Sequence, residues 1–236
     1  MDIHGLNKLT LLDYPGHMAC LIFTGGCNYL CPFCQNRDLV LHPTSQPTIP
    51  EDEFLAFLKL RSGILEGVCI SGGEPTLWPD LPDLIRKIKA LGYKVKLDTN
   101  GSRPKVIKAL LDEGLPDYIA MDIKNTPDKY PETTGLHADA CPVDAVKETV
   151  SLIMNSGLPY EFRTTVVKEL HTADDLKKIG EWLKGARAYY LQPFRDCDTL
   201  VGCPEGTFHS YTSDELKGFI AFLSPCFETV GLRGVD

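Results

Sequence analysis

The sequence predicts an α/β fold in which parallel strands form one open, curved sheet. Short apolar runs alternate with amphipathic stretches of helical period along the 236 residues, which is typical of βα units and a parallel sheet. Polar or glycine-rich clusters follow most of these runs, where the functional sites of such sheets lie. No internal repeat and no Gly/Ser linker divides the chain. We therefore expect one domain, although roughly 150 residues per domain would allow two small ones.

The candidate strands are short runs rich in apolar residues, at positions 19–23, 68–71, 94–98, 118–122, 161–167 and 188–192. Six βα units are too few for a closed eight-stranded barrel. They predict a partial (β/α)6 open TIM-like barrel with a cysteine-bearing loop after the first strand. A doubly wound sheet is the main alternative. In the predicted domain, 1–236, residues 1–18 form an N-terminal leader, 19–200 the core barrel and 201–236 a C-terminal helix and tail.

Three helices are indicated by apolar residues that recur at helical spacing. Gly92 and Gly157 follow the first two and are expected to end them. Ser102 and Ser213 are candidate N-caps. The apolar positions are Leu81, Leu84, Ile85, Ile88 and Leu91 in the first helix, Val143, Val146, Val150 and Ile153 in the second, and Leu216, Phe219, Ile220 and Leu223 in the third.

Composition excludes several classes of protein. The chain has 32 acidic and 24 basic residues, a formal charge of −8, so general binding to nucleic acid or to an anionic membrane is not expected. No apolar run approaches the ~20 residues that a membrane helix requires. Asp2, Lys8 and Asp13 interrupt the first 20 residues, so we see no signal peptide and expect a cytoplasmic protein. Nine cysteines in such a chain favour metal or redox chemistry over disulfides.

Three of the cysteines form a C-x3-C-x2-C pattern in a loop entered through two glycines: Cys27, Cys31 and Cys34. Three thiolates can hold three corners of a cuboidal iron–sulfur cluster, which needs four ligands in all. The missing ligand leaves one iron open to a small molecule, as an open position does in catalytic zinc sites. A zinc site completed by a distant residue such as His17 is an alternative, but the cysteine spacing is unusual for zinc. A conventional ferredoxin would supply four cysteines.

Other candidate motifs follow later strands. Residues 71–75 read S-G-G-E-P: two glycines let the backbone approach a ligand closely, and the glutamate suits an ammonium group. The alternative is a tight turn followed by a glutamate at a helix start. Residues 98–101, D-T-N-G, could be a turn with a cap, and Asp122 with Lys124 a solvated pair, although strand alternation places both on one face.

The segment 25–34, G-G-C-N-Y-L-C-P-F-C, resembles the cluster loop of the radical S-adenosylmethionine (SAM) superfamily, including the aromatic Phe33 before the last cysteine. Residues 11–16, L-L-D-Y-P-G, and 36–38, N-R-D, resemble the glycyl-radical-enzyme activating enzymes. Within that group, the leader G-L-N-K-L-T-L-L-D-Y-P-G is most similar to the anaerobic ribonucleoside-triphosphate reductase activating proteins. The resemblance is dense over residues 5–40 and recurs as short motifs to about residue 195.

The resemblance implies a 4Fe–4S cluster on Cys27, Cys31 and Cys34, SAM at its open iron, and a glycyl radical formed on a partner enzyme. It also implies an external reductant such as flavodoxin or a ferredoxin-type protein. The cofactor-binding residues that it implies are Phe33, Gly72, Gly73, Glu74, Asp98, Thr99, Asn100, Asp122, Lys124, Arg163, Gln192 and Arg195. A monovalent cation could bind Asp98, Thr99, the Ala120 carbonyl and Asp122, because neighbouring carboxylates repel each other unless a cation compensates them.

Two positions depart from the family pattern. Arg195 stands where several activating enzymes have a histidine that contacts SAM, and Gln35 where histidine usually follows the last cysteine. Arg163 could also form only a salt bridge at the barrel end. The roles of Arg195 and Gln35 therefore stay open, and the latter substitution could alter the tuning of the cluster.

Two alternative functions remain. One is a radical SAM reaction on a small molecule, similar to that of 7-carboxy-7-deazaguanine synthase; the other is a non-catalytic iron–sulfur electron carrier, which would have no need of a site for the SAM amino group. Among the other cysteines, Cys20 and Cys69 are expected in the core. The rest could hold a further metal, although none has metal-ligand spacing: Cys141, Cys197, Cys203 and Cys226. Residues 35–68 contain no cysteine, so no ferredoxin-like insert is expected.

Overall fold

One eight-stranded sheet organises the computed structural model, which describes residues 1–234. The strands are β1 (Ile3–Thr10), β2 (Ala19–Thr24), β3 (Gly67–Gly72), β4 (Lys94–Thr99), β5 (Tyr118–Asp122), β6 (Tyr160–Val166), β7 (Ala188–Pro193) and β8 (Thr229–Leu232). They are arranged in chain order, with β1 antiparallel to β2 and every later pair parallel. A doubly wound sheet would reverse its strand order in the middle, so the predicted barrel-like arrangement is confirmed and the alternative is excluded.

The sheet contains two strands that the sequence did not predict, and both lie at its edges. β1 comes from the leader and β8 from the C-terminal tail, so both segments add to the six predicted parallel strands. An edge strand packs against one neighbour and exposes most of its residues, which weakens the hydrophobic pattern by which strands are recognised. In β1 only Ile3 and Thr10 are buried. Val235 and Asp236, the last residues of the predicted tail, lie outside the described residues.

Helices connect the parallel strands, and all but the first bury apolar side chains in the main core. They are α1 (Arg37–Leu41), α2 (Glu51–Leu60), α3 (Leu81–Ala90), α4 (Pro104–Asp112), α5 (Tyr130–Thr134), α6 (Val143–Met154), α7 (Ala173–Trp182) and α8 (Ser213–Leu223). The three helices predicted from their periodicity, α3, α6 and α8, are all present. No helix in the described part of the chain is long and apolar enough to cross a bilayer.

Both predicted N-caps were wrong by one residue. The N-cap of α8 is Thr212, whose hydroxyl accepts from the Glu215 amide while the Glu215 carboxylate accepts from the Thr212 amide, a reciprocal capping box that Ser213 cannot form. Arg103 occupies the N-cap position of α4. The hydroxyl of Ser102 instead accepts from Asn28 in the cysteine loop at 2.9 Å.

Contacts between side chains of non-adjacent strands over the inner face show that the sheet is curved. Arg163 of β6 reaches Asp98 of β4, and Arg233, just after β8, reaches Glu161 of β6. At the amino ends of the strands, Tyr14 packs in a small inner cluster with Leu21 and other residues. Because that end is filled, the inner face opens at the carboxyl ends of the strands, where the predicted motifs lie.

Candidate functional site

A cavity of about 360 Å³ lies at the carboxyl ends of the parallel strands, within the size range of ligand pockets. All three cysteines of the loop line it. Every predicted cofactor-binding residue also lines it except Glu74, and of the predicted cation ligands only Ala120 does not. Residues spread over about 170 positions of sequence therefore meet in one place, because parallel strands present their carboxyl ends at the same edge of a sheet.

Two glycines allow the cysteine loop to pack against the end of β3. The amide of Gly73 donates to the Thr24 carbonyl, and the Glu74 amide donates to the Gly26 carbonyl, both at 2.9 Å. A Cβ on Gly73 would lie 1.9 Å from the Gly26 oxygen, and one on Gly72 would lie 2.3 Å from the Thr24 nitrogen. Gly72 also has a φ of +117°, which side chains disfavour. The Gly-Gly pair is thus required to bring the cysteine loop to the cavity.

The three thiols of the loop lie in a sheltered environment. Cys31 is buried, and Cys27 and Cys34 are half-buried. Burial raises the pKa of Cys27 to about 11 and that of Cys31 to about 12, and it raises the pKa of Cys34 as well. The Tyr29 amide donates to the Cys27 sulfur at 3.4 Å. Thiols of this kind lose their protons when a metal binds them.

The donor set suits an iron–sulfur cluster better than a single metal ion. Three sulfurs on one cavity wall are soft ligands, and amide donors to sulfur are among the features that tune such clusters. Within residues 1–234, no three His, Cys, Asp or Glu side chains converge on a point where one ion could bind. His17 lies at the opposite end of the barrel, against Tyr14 and Glu66. The zinc alternative with His17 as fourth ligand is therefore excluded.

Glu74 braces the cavity wall from behind. Its carboxylate is fully buried and accepts from the Thr76 amide at 3.0 Å, the Thr99 hydroxyl at 2.8 Å and the Asn100 amide at 2.6 Å. Burial raises the pKa of Glu74, and these donors oppose that shift. The side chain therefore ties the end of β3 to the D-T-N-G segment at the end of β4 instead of presenting its charge to the cavity.

Replacing Glu74 with glutamine tests this bracing role. An amide group on the same skeleton turns its NH2 toward one of the donors, so we expect the free energy of unfolding of the metal-free protein to fall by about 1–3 kcal/mol. Urea unfolding measures the change. Glu53→Gln is the matched control, because Glu53 is exposed on α2. If the metal-free E74Q protein is as stable as E53Q, Glu74 does not brace the wall.

A layer of alternating charges forms the floor of the cavity. Arg163 lies between two carboxylates, 3.3 Å from Asp98 and 2.9 Å from Asp122. Lys124 pairs with Asp122 at 3.0 Å, and the buried Lys96 pairs with Asp98. Each carboxylate therefore has two cationic partners, and the alternation matches the requirement that buried charges be paired.

These ion pairs determine the charge states of Asp122 and Lys124. Burial alone would raise the pKa of Asp122, but Arg163 and Lys124 outweigh it and hold that pKa at about 2. Burial would likewise lower the pKa of Lys124, and the neighbouring Asp122 raises it well above its ordinary value. Both groups are therefore ionised at neutral pH.

Sequence reasoning missed several residues that support this layer, although the signal was present. Lys96 precedes Asp98 by two positions, and Glu161 precedes Arg163 by two, so strand alternation places each pair on one face. Glu161 accepts from the Tyr118 hydroxyl at 3.0 Å and from Arg233 at 2.8 Å. A second polar layer thus lies beneath the first one. Arg233 could not be found this way because β8 itself was not predicted.

The two departures from the family pattern are in contact with each other. The Gln35 side-chain amide donates to the backbone carbonyl of Arg195. The Arg195 guanidinium donates to the Gly234 carbonyl at 2.7 Å and lines the cavity with Gln192. Gln35 therefore connects the cysteine loop to the segment after β7.

The other cysteines are dispersed. Cys20 and Cys69 are fully buried, as predicted for core residues. Cys141 lies beside Thr134 and Cys226 beside Gly180, whereas Cys203 contacts the cysteine loop. In the part of the chain that the structure describes, these thiols form no second metal-binding group.

The sequence model of the radical SAM superfamily matches residues 21–183 of this chain. The chain belongs to the radical SAM superfamily. That family implies a 4Fe–4S cluster and SAM, and the matched region includes the cysteine loop, the glycine pair and the charged layer with Arg163. The partial barrel predicted for this radical SAM chain agrees with solved structures. It superimposes on Streptococcus suis SuiB bound to S-adenosylmethionine with a TM-score of 0.70 at 13% identity, covering 92% of this chain and half of SuiB.

Similar proteins indicate to which group of the superfamily this chain belongs. A Methanocaldococcus jannaschii protein whose name assigns it to the glycyl-radical enzyme activating enzymes is 32% identical over 83% of this chain and 81% of its own. The pyruvate formate-lyase-activating enzyme of Staphylococcus aureus is 28% identical over 77% of this chain and 74% of its own. These similarities confirm the predicted class, a radical SAM enzyme of the glycyl-radical-enzyme activating group.

Proposed function

We propose that this radical SAM enzyme forms a glycyl radical on a partner enzyme, and that the partner is anaerobic ribonucleoside-triphosphate reductase or a related glycyl radical enzyme. One observation carries the proposal: the three-cysteine loop and the Asp98–Arg163–Asp122 layer line a single cavity. An electron carrier has no use for such a charged ligand pocket beside its cluster. The choice of partner is supported by the resemblance of the leader.

The cavity residues have distinct proposed roles. Cys27, Cys31 and Cys34 would hold three irons, leaving the fourth to the amino and carboxylate groups of SAM. When bound and reduced by one electron, the cluster and SAM would supply cleavage of the sulfonium C–S bond to methionine and a 5′-deoxyadenosyl radical, which would take a hydrogen atom from a glycine Cα and leave as 5′-deoxyadenosine. Lys124 and Arg163 would present positive charge to the SAM carboxylate, and Gly72 and Gly73 would let the backbone approach its amino group.

A monovalent cation at Asp98, Thr99, Ala120 and Asp122 stays a prediction. Its physical premise was that the neighbouring carboxylates need a compensating cation. Arg163, Lys96 and Lys124 already neutralise the two carboxylates. Arg163 was expected among the SAM contacts. Because it lies between Asp98 and Asp122, less negative charge is left for a metal cation to neutralise.

The partner glycine and the electron both come from outside the chain. The cavity opens at the carboxyl ends of the strands, so a loop of a second protein could reach it. A flavodoxin or ferredoxin-type reductant in the cytoplasm would supply the electron. Neither partner surface is marked by a motif in the sequence.

Electron paramagnetic resonance tests the proposal. Reduced, reconstituted enzyme mixed with SAM and the candidate reductase should produce a glycyl radical doublet and 5′-deoxyadenosine. A reductase whose radical-bearing glycine is replaced by alanine is the control and should give no doublet. Formation of 5′-deoxyadenosine only when a small molecule is turned over would replace the proposal by the small-molecule alternative. A stable cluster that never cleaves SAM would instead indicate an electron carrier.

A further inference from the structure

The segment after β7 lies against the cysteine loop, and we define residues 195–206 as the strap. The Val201 amide donates to the Cys34 carbonyl at 3.0 Å, and the Gly202 amide donates to the Pro32 carbonyl at 3.1 Å. The side-chain amide of Gln35 donates a hydrogen bond to the backbone carbonyl of Arg195, the first residue of the strap. The strap therefore contacts the loop on both sides of Cys34.

The strap has its own internal support. The Asp196 carboxylate accepts from the Cys197 amide at 3.0 Å and from the Gly206 amide at 2.7 Å, which joins the two ends of the segment. Leu200 is buried in the main core. A segment held at its ends and at its centre can position what it touches, unlike a freely mobile loop.

Gly202 of the strap lies directly against Pro32 of the cysteine loop. A Cβ built on it would lie 2.7 Å from the Cβ of Pro32 and 2.8 Å from its Cα. Pro32 is held by its ring and lies between two ligand cysteines, so neither contact can be relieved by rotating a flexible side chain. Gly202 does not have a positive φ. Alanine at position 202 would therefore clash with Pro32 but would not strain the backbone.

We propose that the strap is a positioning element for the iron–sulfur cluster: it holds the Cys31–Cys34 part of the loop in place and covers it from solvent. The carbonyls of Pro32 and Cys34 are fixed by strap amides, which restricts the backbone that carries two of the three thiols. Groups that orient metal ligands without binding the metal commonly control cluster stability and potential. The inference rests on the cluster and is independent of the choice of partner enzyme.

Gly202→Ala tests the strap, with Gly218→Ala as the matched control. A Cβ on Gly218, in α8, would meet nothing within 4 Å. In metal-free protein we expect amide hydrogen exchange at Val201 and in residues 31–35 to rise about tenfold in G202A, the loss of roughly one hydrogen bond, and to stay unchanged in G218A. In reconstituted protein exposed to air, the cluster absorbance should decay several-fold faster in G202A.

Several outcomes would overturn the inference. Exchange and cluster decay in G202A that equal those in G218A would show that the strap does not position the loop. If G202A fails to fold, Asp196→Ala opens the strap by removing its closing carboxylate, and the exposed Asp198→Ala is its control. Equal decay in those two variants would again refute the proposal.

A double variant addresses the strap thiols. Cys197→Ser with Cys203→Ser should leave about four irons per chain and an unchanged spectrum of the reduced cluster. Loss of iron while hydrogen exchange in residues 31–35 of the metal-free protein stays unchanged would make these thiols ligands and overturn a purely positioning role, because Cys203 also contacts the Pro32 carbonyl. These experiments also distinguish failure of this inference from failure of the proposed function. Wild-type protein that binds no iron would have no cluster to position and would overturn both. A protein that holds a cluster but forms no glycyl radical would contradict only the proposed function.

Discussion

Cys31→Ala is expected to reduce iron after anaerobic reconstitution from about four per chain to almost none, because it removes one of three protein ligands of a 4Fe–4S cluster. Cys31 is the most buried of the three thiols, at 6% exposed. No other thiol of the described residues lines the cavity besides Cys27 and Cys34, so none is placed to replace it. Formation of 5′-deoxyadenosine from SAM should be lost with the iron.

Cys69→Ala provides the control for this experiment. Cys69 is fully buried on β3 and packs with Tyr14 and Leu21, away from the cavity wall. Its replacement costs packing energy but should leave the iron content unchanged. Iron content and visible absorbance, measured on both variants, show whether the loss of iron is specific to Cys31. If C31A keeps its iron, or if the wild type binds only zinc, the cysteine loop is not the cluster site.

Arg163→Met is expected to destabilise the protein by about 3 kcal/mol and to weaken SAM binding strongly, because it leaves two inward carboxylates without their shared partner. The guanidinium is 13% exposed, and it contacts Asp98 and Asp122 at 3.3 and 2.9 Å. Methionine fills similar volume without charge. Urea unfolding and SAM titration of the reconstituted protein measure the two effects. Arg187→Met is the control, since Arg187 is exposed outside the cavity.

The same variant should change how stability depends on pH. In the wild type the pKa of Asp122 is about 2, below its ordinary value of 3.8, because Arg163 and Lys124 outweigh burial. A lowered pKa adds stability that is fully present above about pH 4 and is lost as pH falls toward 2. Without Arg163 that pKa rises, so the difference in unfolding free energy between wild type and R163M should be largest near neutral pH and shrink below pH 4. A difference that is constant across this range would rule out the ion pairs as its source.

Local spacing was sufficient to predict most of the sequence motifs that line the cavity. The C-x3-C-x2-C loop, the glycine pair and the polar residues at strand ends are each visible in a few consecutive residues. Because parallel strands share one carboxyl edge, these motifs were expected to converge, and the cavity contains nearly all of them. The six inner strands were predictable because each carries buried apolar residues, either in a continuous run or at every second position. The edge strands β1 and β8 were not, since their exposed faces carry no such pattern.

What the sequence alone determined is the chemistry: which residue types stand at the strand ends, and which face of a strand each occupies. The tertiary structure alone decided their partners. Glu74 turns behind the wall to accept from Asn100, Arg163 pairs with two aspartates on different strands, and Gln35 meets Arg195 across 160 positions of sequence. Strand alternation is a local property of the backbone, but a contact across strands depends on register and curvature, which only the packing of the whole sheet determines.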